Sequence, residues 1–305
     1  MDFSQNILDT LEPEMARSLI PGWLCGFMEL ETAEMEAAVK GVASSLSCFD
    51  DAAFARSLAY LRTLGDEYTL YRADPVARKA TRAYMRVLMS GSEVSGIENL
   101  RAAQEAGPTL LLCNHLAYCD TQIKDVLLAD SGADDLADKL IVVAGPKVYE
   151  DSFRRMASMG LNTLKTAQSA ALSHNEKKMG PREIAAIALG TVRLAHHHMN
   201  RDQMVLVYGE GSRSRTRRLG PFIKAVRKYV QVEGCQIVPL AISGSQQMMP
   251  LGRPTMSAVP VQLRIGQPIE VEGLGALAAM EAAWHSIADM LPDDQKPDEG
   301  VEPVV

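Results

Sequence analysis

The chain of 305 residues has room for one large domain with an appendage, or for two modest domains. Apolar residues make up 47% and charged residues 23%, which suits a globular protein with a sizeable core, and the net charge of −7 argues against a nucleic-acid partner. Five cysteines (Cys25, Cys48, Cys113, Cys119, Cys235), odd in number and without a Cys-x-x-Cys pair, indicate reduced thiols in the cytoplasm and not a disulfide framework.

In chain order, the acidic opening (Asp2, Glu12, Glu14) lacks the basic start of a signal peptide. The first apolar run, Leu19 to Met28, is too short to span a bilayer and is broken by Pro21, Gly22 and Gly26. Residues 1–92 read as an all-helical N-terminal domain, with apolar residues at three- and four-residue spacing in Met35–Val42 and Phe54–Leu64. Leu19, Ile20, Trp23, Leu24 and Phe27 within it either dock on a membrane surface or pack the domain. Gly91-Ser92 breaks the pattern, and a helix over Ile97–Ala106 follows. Short apolar runs then alternate with helical segments: Thr109–Cys113, Leu140–Ala144, Leu161–Leu164, Met204–Val207, Gln236–Ala241 and Val261–Ile265, with helices over Tyr118–Asp130, Asp151–Met159, Pro181–His198, Thr216–Val232 and Leu274–Met290. This alternation predicts an α/β domain over residues 93–292, a mostly parallel central sheet flanked by helices. Residues 293–305 read as a disordered acidic tail.

Two segments carry chemistry. Asn114-His115-Leu116-Ala117-Tyr118-Cys119-Asp120 follows the strand Thr109–Cys113, so His115 falls at the carboxyl edge of the sheet, where α/β proteins place ligands. Asp120, five residues on, enters the first turn of the next helix and can fold back onto one imidazole nitrogen, leaving the other to accept a hydroxyl proton. The second segment, Tyr208 to Arg218, follows the strand Met204–Val207. Its Gly209 and Gly211 allow a tight backbone turn, and Arg213 and Arg215 can fork onto phosphate oxygens. Seven basic residues lie between Gly209 and Lys228 against one acid, Glu210, so this acidic chain has a local site for an anion, Arg227 and Lys228 reading as a solvated face. His196-His197-His198 splay around a helix and do not converge on a metal. No Gly-x-Ser-x-Gly elbow, Walker A loop or dinucleotide fingerprint occurs.

Together the two segments resemble the glycerolipid acyltransferase superfamily, over roughly Leu100 to Pro292. Its Asn-His-x4-Asp block is matched by Asn114, His115 and Asp120. Its Phe-Pro-Glu-Gly-Thr-Arg-Ser block is matched by Tyr208 to Ser214, with Gly209 for proline and Ser212 for threonine. Its proline-containing strand is matched by Ile237-Val238-Pro239-Leu240. The resemblance implies transfer of a fatty acyl group from acyl-CoA or acyl-carrier protein to a hydroxyl of a phosphorylated glycerolipid. His115 and Asp120 would be catalytic, and Asn114, Lys165, Glu210, Gly211, Ser212, Arg213 and Arg215 would bind substrate. The block that supplies an arginine to the acceptor's phosphate departs most: Gly160 to Lys165 offers Lys165, with Lys147 as a second choice. The Glu210 to Thr216 stretch resembles glycerol-3-phosphate acyltransferases, whereas the length and Met249-Pro250 resemble lysophosphatidic acid acyltransferases. The resemblance implies no metal and no cofactor beyond the acyl donor, and a cytoplasmic protein that visits the inner membrane face. A reading of another class, a non-catalytic module for anionic lipid or an acidic carrier protein, uses the Arg213–Lys228 patch alone.

Overall fold

The computed structural model describes residues 7–167 and 179–305; Asp2, read above as part of an acidic opening, lies outside them. Among the described residues nine strands occur: β1 (Leu70–Tyr71), β2 (Glu93–Ser95), β3 (Thr109–Cys113), β4 (Leu140–Ala144), β5 (Asn162–Lys165), β6 (Met204–Tyr208), β7 (Gln236–Ser243), β8 (Gln262–Ile265) and β9 (Ile269–Glu270). The chain divides into two units, the first formed by residues 1–90, 144–191 and 252–258, the second by 91–143, 192–251 and 259–305.

In the first unit, helices Pro13–Cys25, Thr32–Leu46, Asp51–Thr63 and Pro75–Leu88 form within the stretch read as helical, the second and third covering Met35–Val42 and most of Phe54–Leu64. Their starts are set by side chains: Asp50 accepts from Ala53 N at 2.8 Å, and Asp74 accepts from Ala77 N at 2.9 Å with Pro75 behind it. The unit is not purely helical, because Leu70 and Tyr71 pair antiparallel with Leu164 and Thr163 of β5. Nor is it made of residues 1–92 alone: that stretch is completed by helix Ser152–Met159 and by Met256, which bridges to Met28. Ile20, Trp23, Leu24 and Phe27, weighed above for membrane docking, are buried, with Trp23 and Phe27 packed against Phe153 (ring centroids 6.1 and 4.2 Å apart); of the five, only Leu19 is exposed. Among the described residues no helix is long and apolar enough to cross a membrane.

The second unit holds the expected sheet, in the order β4-β6-β3-β7-β8-β2 with β9 beside β7. β4, β6, β3 and β7 are parallel, β8 and β9 run antiparallel to β7, and β2 runs parallel to β8. The central strands are apolar throughout because both faces are covered: Leu110, Leu111, Leu112, Val205, Leu206, Ile237 and Val238 are at most 1% exposed. Helices Ile97–Ala106 and Ala276–Met290 pack on β7.

Two expectations are corrected here. Thr216–Val232 is not an α-helix. Gly220-Pro221 interrupts the run, Pro221 having no amide proton to donate, Arg217 takes a left-handed φ of 69°, and only a short 3-10 turn, Lys224–Lys228, forms. The tail, expected to be disordered, is strapped down in strand-like fashion. Val304 and Phe222 form a parallel bridge, Phe222 N donates to Pro303 O at 2.8 Å, Val305 N donates to Phe222 O at 2.9 Å, Leu219 N donates to Gln295 O at 2.9 Å, and Gln295 is buried. Its acidic character serves locally, since Asp298 pairs with Arg218 at 3.2 Å.

Candidate active site

The parallel strands β3 and β6 lie side by side in register from Thr109↔Met204 to Cys113↔Tyr208, so both motifs leave the same edge of the sheet. Asn114 extends β3 by one step: its side-chain amide donates to Ile242 O at 2.9 Å and its Oδ1 accepts from Ile242 N at 2.9 Å, tying the loop to β7. Asp120, the first residue of helix Asp120–Asp130, is wholly buried, and its Oδ2 gathers three donors: His115 Nδ1 at 2.8 Å, Leu116 N at 2.7 Å and Ala117 N at 3.1 Å. Two backbone amides of the loop that precedes the helix thus fix the carboxylate, and the carboxylate fixes the ring. With Nδ1–H donating to Asp120, Nε2 keeps its lone pair. The His115 side chain is 17% exposed, its plane stacked on Tyr208 at 3.9 Å between centroids and 17° between planes.

Burial lowers the His115 pKa below its ordinary value against the pull of Asp120, and Lys124 and Arg213 lower it further, so the imidazole is a neutral base at pH 7. For Asp120 burial pushes upward, but the hydrogen bond and charge of His115, with Lys124, outweigh it and hold the acid below its usual range. Cys113 and Cys119, on either side of His115, are buried thiols that burial pushes up, Cys113 to about 12.

The loop after β6 is held differently. Glu210 bridges two loops, Oε2 accepting from His115 N at 2.9 Å and Oε1 from Gly220 N at 2.7 Å; burial raises its pKa to about 7. Ser214 N donates to His115 O at 2.8 Å, closing the arginine loop onto the histidine. Gly209 has no room for a side chain, since a Cβ there would lie 2.3 Å from the buried Phe222 ring. Gly211 adopts a φ of +70°, the left-handed region where glycine is at ease. Arg213 lies over Tyr118, its guanidinium carbon 3.6 Å from the ring centroid, while Ser212 and Arg215 are exposed.

His115, Asp120 and Arg213 therefore gather at one sheet edge. Other residues read as substrate-binding have different duties: both polar atoms of Asn114 serve Ile242, and both oxygens of Glu210 serve backbone amides, which makes these two side chains braces of the loops. Lys165 belongs to the first unit and is 4% exposed. Its ammonium donates to Gly65 O and lies 4.8 Å from the Tyr68 ring centroid and 5.4 Å from that of Tyr149, so it is lodged among aromatics and not displayed to solvent. His196 and His197 point to separate partners, Lys228 O and Arg201. Sequence reasoning passed over Lys124, 1% exposed one turn beyond Asp120, and the stacking role of Tyr208. The available signal was Lys124 at i+4 from Asp120 in a helix that buries polar and apolar residues alike.

The arrangement is that of an imidazole oriented by a buried carboxylate, with an arginine on the neighbouring loop. The model of the Acyltransferase family matches residues 91–243, half of the chain, and the chain belongs to that family. Among solved structures, the crystal structure of the 1-acyl-sn-glycerophosphate (LPA) acyltransferase PlsC from Thermotoga maritima aligns with a TM-score of 0.48 at 15% identity, covering 92% of this chain and 98% of that one. No curated protein matches the chain.

Proposed function

We propose that this acyltransferase moves a fatty acyl group from a thioester, acyl-CoA or acyl-carrier protein, to a hydroxyl of a phosphorylated glycerolipid of the lysophosphatidic acid type. The observation that carries the reading is the Asp120 carboxylate held 2.8 Å from His115 Nδ1, which leaves Nε2 as the acceptor of the hydroxyl proton. The alkoxide oxygen attacks the thioester carbonyl, the C–S bond breaks, and the imidazolium returns the proton to the leaving thiolate. Asp120 supports the transient positive charge on the ring, as the orienting acid of a triad does, with the substrate supplying the nucleophile.

Arg213 is the residue best suited to the acceptor's phosphate. Its guanidinium carbon lies 3.6 Å from the Tyr118 ring centroid, a planar fork of donors suits a phosphate, and Ser214 N ties the arginine loop to His115 O. Fixing the phosphate orients the hydroxyl, which is worth several orders of magnitude when the reacting atoms are near attack distance. Lys165, embedded in the first unit, has no part in this reading. Purified protein given labelled acyl-CoA and acyl-carrier protein should acylate lysophosphatidic acid in preference to glycerol 3-phosphate. Preference for glycerol 3-phosphate would change the acceptor, and no transfer to either would sink the assignment.

A further inference from the structure

We propose that Lys124 is the electrostatic counterweight of the His115/Asp120 pair: a positioning residue that holds His115 uncharged before the reaction and, through Tyr208, keeps its ring in plane. Lys124 stands four residues after Asp120 on helix Asp120–Asp130 and is 1% exposed, so its head cannot reach water as lysines ordinarily do. Its Nζ donates to the backbone carbonyl of Asp120 at 3.1 Å and to Tyr208 Oη at 3.5 Å, and lies 5.0 Å from the Tyr208 ring centroid. Tyr208 is in turn pinned by Thr121, whose Oγ1 is 2.7 Å from the phenol oxygen, and its ring carries the stacked imidazole at 3.9 Å. The lysine, the phenol and the imidazole thus form one column, with Asp120 at its side.

The two oxygens that accept from Lys124 Nζ are neutral, and its further partner, the Cys113 thiol, is kept neutral by burial. A cation buried in that way is unfavourable unless negative charge close by compensates it. That charge is supplied by Asp120, whose ionised form Lys124 in turn favours; Glu210, bonded to the backbone of His115, is raised by burial to about 7 and is only partly ionised at neutrality. The same field acts on the base. Of the groups facing His115, Asp120 favours the imidazolium, Lys124 and Arg213 oppose it, and Cys113, Cys119 and Tyr208 are kept neutral by burial. Without Lys124 the carboxylate would dominate, and His115 would gain a proton at higher pH and be lost as a base near neutrality.

The proposal rests on His115 being the base, and its test separates the two ideas. The midpoint of His115 is read by NMR titration of its ring Cε1–H in histidine-labelled wild-type, Lys124→Met and Lys124→Arg protein, the resonance being assigned by its loss in His115→Gln. In Lys124→Met the midpoint should rise by about one pH unit, and in Lys124→Arg it should stay within a few tenths of wild type. The acid limb of kcat/KM should move with it, about tenfold loss at pH 6 shrinking to less than threefold above pH 8. An unmoved midpoint in Lys124→Met would overturn the proposal. Should that variant fail to fold, Lys124→Gln gives the same reading, and failure of both to fold would assign Lys124 to packing and overturn it equally. A shifted midpoint in a protein that transfers no acyl group would keep the Lys124–His115 coupling and remove the acyl-transfer reading; activity with an unmoved midpoint would do the reverse.

Discussion

The loops that follow β3 and β6 begin as neighbours in register and are built on opposite plans. The loop after β3 is stiffened from within: Asn114 is spliced onto β7, and Asp120 draws Leu116, Ala117 and His115 onto one oxygen, so the imidazole is oriented by the loop itself. The loop after β6 is stiffened from its ends, by Glu210, by Phe222 lying in the space beside Gly209, and by residues 295–305, and it leaves Ser212, Arg215 and Arg217 exposed between these anchors. On the proposed reading this difference is functional: a proton-transfer group must be held to a fraction of an ångström, whereas a loop that receives phosphorylated lipids needs firm ends and a solvated middle.

If the two plans divide the work in this way, His115→Ala should lower kcat by about 10³ with little change in melting temperature, because base catalysis is lost and the loop's internal bonds to Asp120 remain; a loss under tenfold in a labelled-donor assay would end the catalytic reading of the β3 loop. Glu210 joins the two loops and should register as a stability effect. Its pKa is raised from 4.5 to about 7, so the folded protein binds a proton the unfolded chain has released. The associated stability is complete below about pH 4.5 and is lost as pH rises through about 7, about 3 kcal/mol in all, and Glu210→Gln should abolish that slope in denaturant melts across the interval. A profile identical in both proteins would show that Glu210 does not couple the loops. Gly209→Ala forces a methyl against the Phe222 ring and should cost about 2 kcal/mol of stability by chemical denaturation; a neutral result would mean that the β6 loop is not anchored there. The smallest effect belongs to Arg213→Ala, with KM for the phosphorylated acceptor rising about tenfold while kcat falls less than threefold, as for the loss of one charge-assisted contact. A fall in kcat alone would move Arg213 from binding to chemistry.

How far the sequence discloses this molecule depends on whether a signal is local. The central strands are legible because burial on both faces leaves uninterrupted apolar runs, and the His115–Asp120 geometry is legible because five residues of turn and helix start determine it. The basic run after Gly209 has helical spacing but is overruled by Gly220-Pro221, and the acidic tail looks unstructured because its partners, Phe222 and Leu219, lie far away in the chain. The two buried lysines make the same point. Lys165 stands at the family's expected place for a phosphate-reading arginine, yet the fold sets it against Gly65, Tyr68 and Tyr149. Lys124 carries no motif, yet the fold places it against Asp120 O and the Tyr208 ring on which His115 stacks. Motif order locates a strand edge; which side chains face it is decided by helix phase and by long-range packing that spacing does not encode.

The cysteines give the protein a practical asymmetry. Cys25, Cys113, Cys119 and Cys235 are buried, with thiols that burial pushes well up, whereas Cys48 is exposed in the first unit with Lys79 Nζ 3.2 Å from its sulfur. A maleimide dye or spin label added to the native chain should therefore attach at Cys48 and leave the thiols that flank His115 untouched, giving a site-specific reporter on the first unit without altering the second.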